Sequence, residues 1–157
     1  MNNHPIIKQV DPASPVARMM MDALWEEIQT RYGFKAPSPF DPASFTVTKA
    51  GFWIAFANNE PVGSIAISPL SEHEAELDIM YVVPSSRGSG IAQGLMASLE
   101  KHAKENDFTI IKLRAGSPQH EALRFYEKTG FTRIAAFGKW INDHTAICFQ
   151  KELHKFI

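Results

Sequence analysis

The chain has 157 residues, of which 45% are hydrophobic, enough for one packed core and too few for two ordinary domains. Its formal net charge is −1 and its acidic and basic residues are mixed along the chain, which argues against a nucleic acid or a membrane surface as a partner. We therefore expect a single domain over residues 1–157 that acts on a small molecule.

The cysteine and histidine content favours a reducing compartment and chemistry without a metal. The single cysteine, Cys148, cannot form an internal disulfide and is expected to be a small buried residue rather than a nucleophile. The six histidines show no pairing at metal-ligand spacing. No stretch approaches the roughly 20 apolar residues of a membrane-spanning helix. Because Met1–Val10 also lacks the pattern of a secretory signal, a cytoplasmic location is expected.

The first half of the chain predicts a strand at Ile6–Val10, a helix at Val16–Tyr32, and strands at Phe52–Ala57, Val62–Ser68 and Ala75–Val83. Either Asp11-Pro12 or Ser14-Pro15 supplies the chemistry that begins the helix, and Gly33 ends it. The proline-rich segment from Gly33 to Phe45 is expected to be a loop with at most one short helical turn.

The second half predicts a helix at Gly90–Glu105, a strand at Thr109–Leu113, a helix at Pro118–Thr129, and strands at Phe131–Ala135 and Thr145–Lys151. Ser117 is expected to cap the second of these helices, and Gly130 stands where a helix end favours a left-handed residue. The order of elements predicts an α/β protein with a mixed sheet and helices packed on its faces.

The strongest local signal is the turn from Pro84 to Ala92, where a strand passes into a helix through residues with almost no side chain. Glycine lets the backbone approach phosphate oxygens, and the free N–H groups of a helix start donate to them. A pyrophosphate is the natural ligand of such a turn. No Gly-Lys-Ser/Thr follows, and Gln93 occupies the third glycine position of the dinucleotide fingerprint, so ATP and NAD are disfavoured.

Two ordered motifs resemble those of one enzyme family, the GNAT acetyltransferases. Arg87-Gly-Ser-Gly-Ile-Ala92 is similar to the family's coenzyme A motif, Gln/Arg-x-x-Gly-x-Gly/Ala, and Ala122–Phe131 is similar to its tyrosine-bearing helix that ends in Gly-Phe. The resemblance implies acetyl-CoA as co-substrate. It also implies a central, mostly antiparallel sheet of about seven strands, with a parallel splayed pair and about four flanking helices.

The resemblance also implies which residues bind acetyl-CoA. Main-chain groups of Met80, Tyr81 and Val82 would pair with the acyl and pantetheine portion, and the Val82 N–H would stabilise an oxyanion. Ser117 is a doubtful pantetheine contact, because a role as a helix cap explains it fully. The pyrophosphate would be bound by Arg87, Gly88, Ser89, Gly90, Ile91, Ala92 and Gln93.

Three side chains are candidates for catalysis. Tyr126 matches the family's general acid, which would contact coenzyme A and protonate its departing thiolate, although a core tyrosine is the alternative. Glu76 matches the base of the histone-acetylating members, and Asp78 is the reserve candidate. Strand alternation predicts that Glu76, Asp78 and Met80 share one face, and the alternative is a solvated acidic strand. Either arrangement favours a cationic substrate.

The family resemblance leaves the acceptor open. The tail from Phe137 to Leu153 resembles a subgroup of small bacterial members, but Arg114-Ala115 and Asp78-Ile79 reverse the local charge expected there. Phe34, Phe40 and Phe45 are expected either to line the acceptor pocket or to pack in the core. The leading hypothesis is acetyl transfer to the primary amine of a small molecule. The alternatives are a protein lysine or N-terminal amine as acceptor, a non-catalytic acyl-CoA-binding module, or a nucleotide-binding regulator, and a homodimer is possible.

Overall fold

A computed structural model describes residues 4–116 and 118–154, and within these ranges it contains seven strands and three α-helices. In chain order they are β1 (Ile6–Gln9), α1 (Pro15–Tyr32), β2 (Gly51–Ala57), β3 (Glu60–Pro69), β4 (Glu74–Val82), α2 (Ile91–Glu105), β5 (Ile110–Gly116), α3 (His120–Lys128), β6 (Thr132–Ile134) and β7 (Ala146–Glu152). Short 3-10 turns lie at Pro42–Phe45, Pro84–Ser86 and Gly138–Trp140. None of the helices in the described ranges combines the length and the apolar character that crossing a bilayer requires.

The seven strands form one sheet in the order β1-β2-β3-β4-β5-β7-β6. Every neighbouring pair is antiparallel except β4 and β5, which are parallel. That parallel pairing is short: it runs from Glu74 opposite Ile110 to Glu76 opposite Lys112, after which the two strands part. The mixed sheet with a splayed parallel pair is confirmed. The prediction of about four helices is slightly high, because the segment after Gly33 contributes only the turn at Pro42–Phe45.

The helix ends follow local sequence signals. The Ser14 hydroxyl accepts a 3.3 Å hydrogen bond from the N–H of Ala17 at the start of α1, and Gly33 ends that helix at φ 73°. Helix α3 begins at His120 rather than at the predicted Pro118, because the turn from Gly116 to Gln119 comes first: Gln119 bonds Gly116 through both its main chain and its side chain. The predicted cap, Ser117, lies outside the described residues.

The core is divided between the two faces of the sheet. One face packs against α1, where Met20 and Leu24 meet apolar side chains of the strands such as Ile54. The other face packs against α2, where Leu95 and Leu99 belong to the same buried cluster as strand residues. Because both faces of the central strands are buried, β4 and β5 are held in place between the helices. The gap between β4 and β5 is held in place with them.

A β-bulge in β4 changes which side chains share a face. Ala66 of β3 faces Asp78, but Ser64 faces Tyr81, so β4 carries one extra residue at this point. Ile79 accommodates it with φ 55°, a conformation that costs a β-branched residue about 1–3 kcal/mol. The prediction that Met80 shares the face of the two carboxylates is therefore wrong: Met80 packs with the opposite cluster, on the α2 face.

Candidate active site

Two cavities meet at the gap between β4 and β5, each with a volume of about 390 Å³. The first, called here the loop cavity, is lined by the turn after β4 and the start of α2. The second, called here the acidic cavity, contains the side chains of Glu76 and Asp78. Both cavities are lined by Leu24, Met80, Gln119 and Ala122. Ligands in the two cavities would therefore touch.

The loop cavity has the backbone geometry that an anion requires. Gly88 and Gly90 have φ values of 82° and 86°, and a Cβ at either position would meet nothing within 4 Å, so the glycines are needed for conformation rather than for space. Helix α2 begins at Ile91 without a side-chain cap, which leaves its first N–H groups available at the cavity wall. Seven predicted coenzyme contacts also line this cavity: Met80, Tyr81, Val82, Arg87, Ile91, Ala92 and Gln93.

Two predicted coenzyme contacts do not line the loop cavity. The Ser89 hydroxyl donates to the carbonyl of Ser86 and so closes the turn, and Ser89 is not among the residues that line the loop cavity. Tyr126 lines the acidic cavity instead. Ser117 is not described. The glycine turn thus presents mainly its backbone to the cavity.

The main chain of Val82 is directed into the gap. The next N–H along, that of Val83, donates a 2.9 Å hydrogen bond to Val62 on β3. Because successive residues of a strand point their N–H groups to opposite edges, the N–H of Val82 is directed away from β3 and toward the opened side facing β5. Its carbonyl points the same way and accepts a 2.9 Å hydrogen bond from Arg87 Nε.

A chain of charged side chains crosses the loop cavity. Arg87 pairs with Glu27 of α1, and Arg31, one turn further along, makes two hydrogen bonds of 2.7 and 3.1 Å to Glu121 of α3. The hydrogen bond from Arg31 lowers the pKa of Glu121 to about 2. Glu27 and Arg31 were not predicted as site residues, because their only signal in the sequence is the spacing of oppositely charged residues one helical turn apart.

In the acidic cavity the two carboxylates differ in their surroundings. Glu76 is 7% exposed, and its Oε2 accepts a 2.9 Å hydrogen bond from the indole of Trp140. Burial raises the pKa of Asp78 to about 6, although the hydrogen bond from the Ile79 N–H opposes this shift. Neither carboxylate lies on a solvated strand face. Asp78 is therefore a carboxylate whose protonation changes within about one pH unit of neutral.

Tyr126 is both a core residue and a wall of the acidic cavity. It is 5% exposed, and its ring packs edge-on against Phe131 at a centroid distance of 5.6 Å. Burial raises its pKa further above the ordinary value, and the charge of Asp78 adds to the shift. The phenol consequently keeps its proton throughout the neutral range and can act as a hydrogen-bond donor.

Aromatic side chains form part of the wall of the acidic cavity. Trp25 makes edge contacts with Phe34 and Phe40, at centroid distances of 5.5 and 5.8 Å, and all three line the cavity. Phe45 does not; it packs on Phe52 in the core. Of the three phenylalanines considered for this wall, two line the cavity and one is a core residue.

Several polar or aromatic residues line the acidic cavity although no sequence pattern marked them as site residues, among them Trp25, Tyr32, Arg114, Gln119, Trp140 and Thr145. Arg114 was noted only as a departure from the expected charge. Among residues 4–116 and 118–154 there is no group of three or more His, Cys, Asp or Glu side chains able to hold a metal ion. Cys148 is buried, as expected, and burial raises its pKa.

Two sequence relatives are N-acetyltransferases by name. The uncharacterized N-acetyltransferase YjgM of Escherichia coli is 26% identical over 147 residues, which is 82% of this chain and 88% of the relative. An uncharacterized N-acetyltransferase of Methanocaldococcus jannaschii is 31% identical over 97 residues. That match takes in 58% of this chain and only 43% of the relative's length.

Solved structures share the fold over nearly the whole chain. A protein of Klebsiella pneumoniae assigned to the acyl-CoA N-acyltransferases superposes with a TM-score of 0.82 at 24% identity, covering 98% of this chain and 100% of that one. A GNAT family acetyltransferase of Elizabethkingia anophelis, solved with acetyl-CoA bound, gives a TM-score of 0.68 at 17% identity and covers 98% of this chain and 100% of that one. The central sheet with its splayed pair is thus the fold of these acyltransferases.

The family model described as the acetyltransferase (GNAT) family matches residues 17–131. This stretch runs from the first turn of α1 to the Gly-Phe that follows α3. It includes both motifs noted in the sequence and every residue that lines the loop cavity, while the acidic cavity also takes Trp140 and Thr145 from beyond it. The chain belongs to the acetyltransferase (GNAT) family, a family of acyl-transferring enzymes.

Proposed function

We propose that the protein transfers an acetyl group from acetyl-CoA to the primary amine of a small molecule, by direct attack within a ternary complex. The observation that carries this proposal is that the loop cavity and the acidic cavity meet at the gap and have Met80 in common. A thioester in one and an amine in the other would be adjacent. Holding two reactants together in this way removes much of the entropic barrier to their reaction.

The loop cavity fits coenzyme A. Its left-handed glycines, Gly88 and Gly90, and the uncapped start of α2 offer backbone N–H groups to a pyrophosphate. Arg87 is already paired with Glu27, so we assign it mainly to holding the turn against α1. Beyond the last pair with β5, the exposed edge of β4 can bond a pantetheine amide as a neighbouring strand would.

The Val82 N–H is the proposed oxyanion donor. Its direction into the gap supports this role, because negative charge develops on the thioester oxygen as the amine attacks. A single such donor is worth about 3 kcal/mol of transition-state stabilisation. The donor is a main-chain group, so replacing the Val82 side chain would leave it in place.

Asp78 is the stronger candidate for the base, with Glu76 as its neighbour. An amine of pKa near 10 arrives protonated and must lose a proton before it attacks. Asp78, with its pKa raised to about 6, accepts a proton more readily than an ordinary carboxylate, directly or through a water. Glu76 is already bonded to Trp140 and would serve to attract the ammonium.

Tyr126 would stabilise the departing sulfur. The amine nitrogen first bonds to the acetyl carbon and pushes negative charge onto the carbonyl oxygen. The intermediate then collapses: the carbon–sulfur bond breaks, the sulfur leaves with the electron pair, and the nitrogen loses its second proton to solvent as the amide forms. A thiolate of pKa about 8.5 is a weaker base than the Tyr126 phenolate, so the proton would stay mainly on the tyrosine. Tyr126 would therefore act as a hydrogen-bond donor to the thiolate more than as a complete proton donor.

The aromatic wall favours a small acceptor over a protein. Trp25, Phe34 and Phe40 line the acidic cavity, and a protein lysine would need an open groove there. A protein amine and a non-catalytic acyl-CoA-binding module remain the alternative functions. A cytoplasmic location and a possible homodimer remain predictions.

The test measures initial rates over a matrix of acetyl-CoA and acceptor concentrations, with a panel of small amines and a lysine peptide as acceptors. The rate is monitored through release of the coenzyme A thiol. The proposal predicts amine-dependent release with intersecting reciprocal plots, and a Tyr126→Phe variant that binds acetyl-CoA normally but turns over slowly. Parallel plots would rule out the ternary complex. Binding of acetyl-CoA without release for any amine would favour the binding module, and release with the peptide alone would favour a protein acceptor.

A further inference from the structure

Arg114 lies where β5 has parted from β4. Parallel pairing of the two strands ends at Glu76 and Lys112, and two residues further along each strand stand Asp78 and Arg114. The neighbouring Leu113 belongs to the core on the α2 side, so alternation directs Arg114 to the opposite face. Arg114 and the two carboxylates consequently line the same cavity from adjacent strands.

The guanidinium of Arg114 is fixed in position. Its Nη2 donates to Asp143 Oδ2 at 3.0 Å and to Thr145 Oγ1 at 2.9 Å. Its central carbon lies 5.3 Å from the ring centroid of Trp140 and 6.0 Å from that of Tyr32. A side chain held in this way loses little further freedom when it binds a ligand.

Two polar atoms in this wall are buried without a hydrogen-bond partner in the part of the chain that the structure describes: Arg114 Nε and the hydroxyl of Tyr32. The position of the hydroxyl depends on Gly116, because a Cβ there would overlap it. Buried polar groups are normally paired, and an N–H and an O–H are both donors. An oxygen-bearing ligand group would supply the partner that these donors lack.

The same cavity also carries negative charge, because Glu76 and Asp78 line it. A ligand that satisfies both kinds of group carries an ammonium group and a carboxylate. Extending the proposed function, we infer that the acceptor is a free amino acid, with its carboxylate bound by Arg114 and Tyr32 and its amine directed to Asp78. The apolar wall formed by Trp25, Phe34 and Phe40 would receive an apolar or aromatic side chain.

Attraction between an amine and the two carboxylates does not account for the two unpaired donors on Arg114 and Tyr32. An amine without a carboxylate would satisfy Glu76 and Asp78 but would leave Arg114 Nε and the Tyr32 hydroxyl unpaired. A site built to bond a substrate group discriminates strongly against an analogue that lacks the group. We expect at least about 100-fold preference for an amino acid over the amine formed by its decarboxylation, as for phenylalanine against phenylethylamine.

The test measures binding apart from turnover. Each of the twenty standard amino acids, and the decarboxylated partners of phenylalanine and leucine, is titrated by calorimetry into protein saturated with coenzyme A. We expect at least one apolar amino acid to bind, at least about 100-fold more tightly than its decarboxylated partner. Binding of the amines alone, or of no amino acid, would overturn the inference.

Variants separate a ligand contact from a structural role. Tyr32→Phe removes only the unpaired hydroxyl, so amino acid binding should weaken about 10-fold while amine binding and the melting temperature are maintained or improved. Arg114→Gln and Arg114→Lys should each weaken amino acid binding by at least about 10-fold, because neither restores the guanidinium donors. Arg133→Gln, at an arginine whose side chain is 62% exposed, is the matched control and should change nothing.

Failure of this inference is distinguishable from failure of the proposed function. If acetyl-CoA binds and amines are acetylated, but Tyr32→Phe and Arg114→Lys leave amino acid binding unchanged, the amino acid assignment is wrong and the acetyltransferase stands. If the protein does not bind acetyl-CoA, the proposed function fails, and this inference fails with it.

Discussion

The buried hydroxyl of Ser64 donates a 2.7 Å hydrogen bond to the main-chain carbonyl of Ile79. Ile79 is the residue that takes up the left-handed conformation of the β4 bulge, and Ser64 is fully buried on the adjacent strand. The bond therefore stabilises the bulge from within the sheet. On either side of this bulge, Asp78 lines the acidic cavity and Met80 lines both cavities.

Removing this hydroxyl should affect both stability and turnover. We expect Ser64→Ala to lower the free energy of unfolding by about 1–3 kcal/mol, since the Ile79 carbonyl loses its side-chain partner in a buried position. We also expect kcat to fall, because the bulge positions Asp78. Urea unfolding and thiol release measure the two effects, with the exposed Ser44→Ala as control. Normal kcat in Ser64→Ala would show that the hydroxyl does not position the site.

The ionised carboxylate of Asp78 should lower the stability of the folded protein, although activity requires it. Its pKa rises from an ordinary value of 3.8 to about 6 on folding, so the folded protein binds the proton more tightly and stability falls as pH rises through this window. Asp78→Asn should therefore raise the free energy of unfolding near pH 7.5 by up to about 3 kcal/mol. The gain should disappear below pH 4.

Urea unfolding of Asp78→Asn at both pH values measures this effect, with the exposed Glu72→Gln as the control. The same Asp78→Asn variant should lose most of its acetyl transfer. If Asp78→Asn is less stable than the wild type at pH 7.5, the carboxylate is not held at a cost, and the argument for a base there is lost.

The pH dependence of turnover should follow the same carboxylate. At saturating acetyl-CoA and amine, kcat should rise with pH and level off above an apparent pKa near 6, because only the ionised Asp78 accepts a proton from the amine. Because Tyr126 holds its proton through the neutral range, no loss from its ionisation is expected up to pH 9. A profile with the same inflection in Asp78→Asn would assign it to another group.

The Arg31 to Glu121 pair should add a small stability that depends on pH. The hydrogen bond lowers the pKa of Glu121 to about 2, so its contribution is present above the ordinary carboxyl pKa of about 4.5 and is lost as pH falls toward 2. The Glu121 side chain is 57% exposed, so solvent screening limits the pair to less than about 1 kcal/mol. A double-mutant cycle of Arg31→Gln and Glu121→Gln at pH 7 and pH 3 measures it. A coupling that does not shrink at pH 3 would contradict this account.

The sequence predicted the features that depend on neighbours in the chain. The ends of α1, the glycine turn before α2 and the left-handed Gly130 follow from proline, serine and glycine at fixed positions. The bulge at Ile79 did not emerge, because an extra residue is recognised only against the partner strand. The contacts of Tyr32 with Arg114, and of Arg31 with Glu121, join residues more than eighty positions apart, and local patterns carry no signal for them.

A pair of matched glycine variants tests whether the glycine turn binds acetyl-CoA through its backbone. Gly90 and Gly33 both have left-handed φ values, of 86° and 73°, and a Cβ at either would meet nothing within 4 Å. Alanine should destabilise the fold at both by about 1 kcal/mol. Only Gly90 lies at the loop cavity.

The measurement is a calorimetric titration of acetyl-CoA into the wild type, Gly90→Ala and Gly33→Ala. We predict that the wild type and Gly33→Ala bind alike and that Gly90→Ala binds at least about 10-fold more weakly, because its backbone N–H groups no longer converge on the pyrophosphate. Failure of the wild type to bind, or equal binding by all three proteins, would contradict the assignment of this turn to acetyl-CoA.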